Sequence, residues 1–438
     1  MKTVAILGAG ISGLSLAWFL SERCKVLVFE QSPQVGGWIQ TRREGKALFE
    51  CGPRSLRTVG SGVEIVTLLE ELGLQDAVIE SSLDAKRRYI VQQGELCLVP
   101  FSMKLAPLFC FGVLKDLLLP QGEYQEQTVS DFFIHRFGKS FHDTFVEPLC
   151  AGIYAAGPQF LSMQSTFGSL LKSRSAVLSM LRSTKRCEES SEWVQSKIGK
   201  ILSLSHGLQM LPDTLKSKVK ADVYCNTSVR GIVEGTSKVS VVTDHKTYEV
   251  DHVVSTLPAS SLRTFFCDSD PVNELLGEFS STSVVTVSLG WKDIAPIITG
   301  FGFLCSSQEE RELLGIVFDS NVFVEHNGQF SVRLSVMMGG TRAREMLNLD
   351  ERVLKEKALG FVKKYLHIAA HPDFCSVQKA KNAIGLYTLG HKARCERISQ
   401  IVNQRRISIL GASFTGVSVG DCIQSARSLY KKTLLHLM

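Results

Sequence analysis

The chain of 438 residues contains no C-x-x-C, and its twelve cysteines are scattered, with Cys97 and Cys110 the nearest pair. That spacing points away from a zinc module or a disulfide framework, and a reduced, intracellular protein is the expectation. No segment offers about 18 uninterrupted apolar residues, so a spanning helix is not expected. The nearest approach, Leu96 to Leu119, is broken by Lys104, Pro107, Lys115 and Asp116. It reads as a core helix flanked by loops, or as an interfacial patch that dips into a membrane or lines an apolar tunnel. No Walker loop, H-E-x-x-H motif or nucleophile elbow is read. His367 and His371 stand four apart and could share a helix face, but they read as a surface pair rather than a metal site. No recognition helix or RNA-binding signature appears, so nucleic acid is not an expected partner. Charge of either sign is nearly balanced: 49 Lys+Arg against 43 Asp+Glu gives +6. That is compatible with an anionic ligand or a membrane surface and establishes neither.

What is present begins at once. Lys2 to Leu7 reads as a short buried strand, too close to Met1 to leave room for a cleaved signal. Gly8-Ala9-Gly10-Ile11-Ser12-Gly13 follows, and Leu14 to Leu20 reads as a helix. In such a fingerprint Gly8 makes the tight turn and Gly10 lets backbone approach a pyrophosphate. Gly13 and Ala17 let the helix lie close to the sheet. The helix N-terminus presents free N–H groups and a positive dipole end to phosphates. A second apolar run, Val26 to Phe29, ends in Glu30, where a carboxylate can accept from a ribose hydroxyl. Gly36, Gly37 and Trp38 come next. A dinucleotide site, with no evident nucleophile or metal beside it, points to redox chemistry carried by a cofactor.

The length predicts two or three structural units. We expect the first part of a nucleotide-binding domain over 1–85, interrupted by the turn at Gly52-Pro53-Arg54-Ser55. A helical insertion is expected over 86–200, with a helix-like aromatic run from Val129 to Phe145. It ends in a basic stretch, Lys172 to Arg186, and an acidic patch from Glu188 to Glu192 that reads as solvated surface. The nucleotide domain is expected to resume over 201–260, and 261–380 reads as strand-rich. Residues 381–438 return to the nucleotide domain. There Ile407 to Leu410 reads as a strand, followed by a glycine-rich turn from Gly411 to Asp421 and a helix from Cys422 to Leu435. This repeats the strand–turn–helix logic of the N-terminus. Its natural partner is a flavin ring, which gains negative charge on reduction.

Taken together, the blocks GAGISG, FEQSPQVGGWIQT, FECGPRSLR, RRYIVQQGELCLVP, LCAGIYA, FGFLCSS, LSVMMGG, GLYTLGHK and GASFTGVSVGDCIQSAR resemble the flavin amine oxidase-like superfamily. Within it they are similar to the oxygen-dependent protoporphyrinogen and coproporphyrinogen oxidase family. The resemblance covers nearly the whole chain and is weakest over about 155–200. It implies an α/β fold, α+β overall: a doubly wound FAD-binding domain, a mixed-sheet substrate domain and a helical membrane-docking insertion. It implies six-electron oxidation of protoporphyrinogen IX to protoporphyrin IX, a late step of heme biosynthesis, with molecular oxygen as acceptor and hydrogen peroxide as by-product. Coproporphyrinogen III oxidation by the same chemistry is the alternative. A flavin amine oxidase, a carotenoid desaturase or a non-catalytic binding protein on the same fold is a more distant one. The resemblance further implies a cytoplasmic protein with peripheral membrane contact, and it leaves room for a homodimer.

The resemblance also assigns residues. Gly8, Ala9, Gly10, Ile11, Ser12 and Gly13 would hold the pyrophosphate, and Glu30 the adenosine ribose. Gly37, Trp38, Gly52, Pro53, Arg54 and Ser55 would line the flavin. Val229 would sit by the adenine, and Ala412, Val417, Ser418 and Val419 by the isoalloxazine ring. Arg88 falls where the family places an arginine against a substrate propionate. Gly152, Phe301, Leu304 and Met337 fall where it clamps the macrocycle. No side chain is expected to act as a catalytic base. Ala151 stands where some members carry a basic residue, which bears on substrate choice.

Overall fold

A computed structural model describes residues 1–100, 102–119, 125–172, 175–177, 190–296 and 298–434. Most of the basic stretch after Lys172 and the start of the acidic patch lie outside the described residues.

The N-terminal strand Thr3–Leu7 is the central member of a five-stranded parallel sheet. The order is Asp222–Tyr224, Lys25–Phe29, Thr3–Leu7, His252–Ser255, Ile407–Ile409. Three distant parts of the chain therefore build one sheet. The strands are apolar on both faces because both faces are covered, as a parallel sheet requires. Val4 and Ile6 pack with the opening helix Ile11–Leu20 and the last helix Val419–Leu429, while Ala5 and Leu7 pack on the other side against Ile398, Val402 and Leu262. An antiparallel three-stranded sheet, Val229–Glu234, Val239–Thr243 and Thr247–Val250, closes over that second face.

The second large sheet has seven strands. Its order is Phe374–Leu386, Ser280–Trp291, Val332–Gly339, Leu313–Val317, Gly302–Leu304, Arg88–Gln92, Glu95–Leu98. All neighbours are antiparallel except Gly302–Leu304 and Arg88–Gln92, which run parallel. Two sequence boundaries are corrected here. The opening of the expected helical insertion is a hairpin at the edge of this sheet, and Phe374–Leu386 runs past the boundary expected at 380. Gln93 (φ 54°) and Gly94 (φ 77°) make the two-residue turn of the hairpin, the left-handed pair that matches strand twist. A small sheet, in which Ile201–Leu204 lies between Leu56–Arg57 and Val78–Glu80, joins the two units.

The helical part runs from Ala106–Leu118 through Val129–Phe137 to Glu147–Tyr154. The aromatic run expected as one helix breaks at Gly138, whose φ of 94° no ordinary residue adopts comfortably. Phe133, Phe137, Phe141 and Phe145 still form a ladder of rings with centroids 5.2, 4.7 and 4.8 Å apart. Asp116 and Arg136 form a buried ion pair that fastens the first of these helices to the second, and the Arg136 guanidinium also donates to the Asp116 carbonyl at 2.7 Å. Ala106–Leu118 is not a core helix: Phe111, Leu114 and Leu118 are exposed on it. No described helix is long and apolar enough to cross a membrane. His367 ends the helix Glu351–Leu366 in a left-handed conformation, so it shares no helix face with His371.

Candidate functional site

The glycine fingerprint forms a cradle with no spare room. A Cβ on Gly13 would lie 2.0 Å from the Gly8 carbonyl oxygen, and Gly8 itself has φ 98°. Gly10 caps the opening helix with no side chain on its free N–H groups, and no acidic residue stands in the first turn. That end is open to an anion. The second glycine pair meets the first in space. Gly10 and Gly36 form a bridge, and the Gly36 N–H donates to the Ala9 carbonyl at 2.8 Å. Gly37 stands so close to Gly10 that a Cβ on it would approach Gly10 Cα to 3.3 Å. A Cβ on Gly52 would strike the Trp38 carbonyl oxygen at 1.8 Å, which packs the Gly52–Ser55 turn against Trp38.

Glu30 is already engaged. Its carboxylate accepts from the Ala9 N–H and from the Ser32 N–H, each at 2.9 Å. A carboxylate has room for further donors, so a ribose hydroxyl still fits. Val229 lies just beyond Thr227, whose N–H donates to the Glu30 carbonyl at 2.8 Å.

The C-terminal turn closes on the same region. The last helix packs beside the opening helix in one core, with Cys422 next to Ser12, so the two helix starts lie together. Ser418 caps the last helix: its hydroxyl donates to Asp421 at 2.7 Å and accepts from the Asp421 N–H at 3.0 Å. Gly416-Val417-Ser418-Val419-Gly420 does carry the G-x-S-x-G spacing, contrary to the expectation that no nucleophile elbow occurs. With its hydroxyl spent on a capping box, Ser418 is a helix cap rather than a nucleophile.

Two residues to which the sequence assigned no role hold this turn from behind. The Tyr387 hydroxyl donates to the Ala412 carbonyl at 2.7 Å and accepts from the Gly416 N–H at 2.6 Å. Burial raises its pKa well above the usual phenol value, which keeps it a donor. His391 stacks on Tyr387 with centroids 4.0 Å apart, and its Nε2 bonds the Phe414 carbonyl at 3.1 Å. Burial pushes its pKa down to about 4, so it is neutral. The aromatic and histidine in GLYTLGHK were the available signal.

The second sheet and the helix Glu147–Tyr154 bring the five expected substrate residues into neighbouring positions. Gly302 pairs with Arg88, Leu304 with Gly315, and Gly315 with Met337. Gly152 abuts Leu304 so closely that a Cβ would lie 2.6 Å from Leu304 Cδ2. Phe301 and Met337 pack in one cluster, and Met337 also packs with the buried Ala151. The Arg88 guanidinium stands over the Phe301 ring at 5.4 Å. The residue is exposed, yet surrounding protein and then the like charge of Arg57 pull its pKa below the usual guanidinium value. The guanidinium remains a cation.

Arg54 lies between the two units. It donates to Ser335 Oγ at 2.5 Å and to the Glu50 carbonyl at 3.2 Å, and it stands 3.7 Å from Asp319. Arg333 is buried beside it, donating to Leu48 O at 2.5 Å and to Asp319 O at 3.2 Å. This junction fastens the GPRS turn to the substrate sheet. Ser335, Asp319 and Arg333 lie too far off in sequence for any local motif to announce them.

With this geometry in place, the likeness to known proteins is specific. The profile of flavin-containing amine oxidoreductases matches residues 11–428. The chain belongs to that family. Protoporphyrinogen oxidase of Bos taurus is 32% identical over 99% of this chain and 98% of its own. Coproporphyrinogen III oxidase of Staphylococcus aureus is 26% identical over 100% of both. The crystal structure of an Exiguobacterium protein described as a protoporphyrinogen oxidase candidate superposes with a TM-score of 0.85 at 21% identity, covering 99% of each chain. Family membership makes the cofactor a flavin. A cradle built for a dinucleotide selects FAD: uncapped N–H groups, close-packed glycines and the acid at the end of the second strand all fit it. The chain is a flavin-dependent oxidoreductase.

Proposed function

We propose that this flavoenzyme oxidises protoporphyrinogen IX to protoporphyrin IX, with oxygen as the terminal acceptor. Six electrons and six protons leave the macrocycle in three two-electron steps, and each step reduces one oxygen molecule to hydrogen peroxide. The observation that carries the reading is a group of half-buried apolar side chains on the second sheet, Phe301, Leu304 and Met337, with the Arg88 guanidinium over the Phe301 ring. Bound FAD supplies hydride acceptance.

The chain's own residues do the rest. Arg88 would hold a propionate, and a guanidinium is the better bidentate partner for a carboxylate. Phe301, Leu304 and Met337 would orient the ring and exclude water. Gly152 would keep the helix backbone close to Leu304, where a side chain would push the wall inward. Pyrrole protons would leave by tautomerisation, which asks for no side-chain base. Gly8 to Gly13, Glu30, Gly37, Trp38, Gly52 to Ser55, Val229, Ala412 and Val417 to Val419 would hold the cofactor as the cradle suggests.

Coproporphyrinogen III is the second reading, because full-length relatives carry either name. Steady-state kcat/KM for the two porphyrinogens, with peroxide measured per porphyrin formed, separates them. We expect about three peroxides per porphyrin and a preference for protoporphyrinogen. Reversed preference would establish the second reading, and turnover without oxygen uptake would remove oxygen as acceptor.

Peripheral membrane contact belongs to the same proposal. Phe111 (64% exposed), Leu114 (55%) and Leu118 (76%) lie on one short helix with Lys115, a mixture suited to an interface. Flotation with anionic vesicles should carry the wild type upward and leave a triple serine variant at these positions behind. A wild type that stays with the soluble fraction would end this part.

A further inference from the structure

Arg57 lies in the small sheet that joins the two units, and none of the roles above uses it. Strand alternation places it. Leu56 and its partner Leu202 face the nucleotide-domain core, so Arg57 and its partner Ile201 face the opposite way. Ile201 packs in the cluster that contains Phe301 and Met337. Arg57 therefore stands at the same wall as Arg88, which already lies over Phe301. The two guanidiniums sense each other, since Arg57 depresses the Arg88 pKa. Among the described residues, neither makes an ion pair or a side-chain hydrogen bond. The Glu80 carboxylate of this sheet is already engaged, taking Lys197 at 2.7 Å and Lys200 at 3.1 Å. Two neighbouring cations without an acid repel each other, and an anion held between them relieves that repulsion.

We propose that Arg57 is a second carboxylate-holding residue of the substrate site, which with Arg88 grips two acidic side arms of one flat ligand. The inference rests on the porphyrinogen reading and names the residue that sets how many carboxylates the pocket rewards. A substrate with four propionates keeps an arm within reach of Arg57 in more orientations than one with two. Loss of Arg57 should therefore weaken the dicarboxylate more than the tetracarboxylate.

The test uses the FAD-loaded full chain and Arg57→Gln, with Arg57→Lys as the conservative control. Losing one charge-assisted contact predicts a KM for protoporphyrinogen raised about tenfold with kcat nearly kept. Lys should restore part of the loss. The penalty should shrink below about twofold on the porphyrinogen dimethyl ester, which offers no carboxylate. Binding of protoporphyrin itself, followed by fluorescence, should weaken in parallel and need no turnover. Unchanged KM and unchanged porphyrin affinity in Arg57→Gln would overturn the proposal. So would loss of bound FAD with substrate KM intact, which would make Arg57 a cofactor residue. A wild type that oxidises neither porphyrinogen would instead overturn the parent reading, and the inference with it.

Discussion

Glu50 offers the sharpest perturbation of the junction that ties the GPRS turn to the substrate sheet. Its carboxylate is buried and accepts from the Leu208 N–H and the Thr41 hydroxyl, each at 2.8 Å. Burial is the main cause that raises its pKa from 4.5 to about 7, and those two hydrogen bonds and the charge of Arg54 only partly oppose it. A folded-state pKa above the unfolded one means that the native protein binds the extra proton between those two values. The stability this proton confers is full below about pH 4.5 and is lost as pH rises through 7. The gap amounts to roughly 3 kcal/mol, at about 1.36 kcal/mol per pH unit, and most of it falls between pH 5 and 8. Glu50→Gln keeps an acceptor for the Leu208 N–H and cannot ionise. Urea denaturation of both proteins at pH 5 and pH 8, saturated with FAD, reads the effect. The variant should gain about 2–3 kcal/mol on the wild type across that interval. A difference that stays constant within about 0.5 kcal/mol would show that Glu50 is not held protonated, and the account of the junction would fail.

Other expectations follow from close contacts. Gly13→Ala sets a methyl 2.0 Å from the Gly8 carbonyl oxygen, so the purified variant should carry little or no flavin by absorbance. Asp116→Ala removes the carboxylate that the buried Arg136 engages, and a thermal melt should register the loss as a fall in Tm. Arg88→Ala should raise KM for a porphyrinogen about tenfold or more and leave flavin content unchanged; unaltered KM would remove its assigned role.

How much of this was legible depends on how local each constraint is. Gly8, Gly10 and Gly13 answer to atoms within a few residues, so their spacing announces the cradle. The meeting of Gly10 with Gly36 was readable only as two glycine clusters in succession. The Arg88 hairpin was placed in a helical insertion, although Gln93-Gly94 between two apolar runs is a turn signal of the right length. The break at Gly138 was missed because the phenylalanine spacing on either side keeps helical period across it. The junction role of Arg54, which the resemblance places only by the flavin, could not be read: its partners Ser335 and Asp319 are reached only after the chain has left the nucleotide domain and built most of the second sheet. Leu96 to Leu119 stayed ambiguous because composition reports apolarity and not which side of a helix is covered. Arg57 is legible only once strand pairing shows that it and Leu56 face opposite ways.

Anaerobic titration of the FAD-loaded protein with protoporphyrinogen tests the central claim most directly. The account predicts that the oxidised-flavin spectrum bleaches with about a third of an equivalent of porphyrinogen, since each macrocycle yields three electron pairs, and that it returns when air is admitted. A spectrum unchanged by protoporphyrinogen and by coproporphyrinogen alike would contradict it.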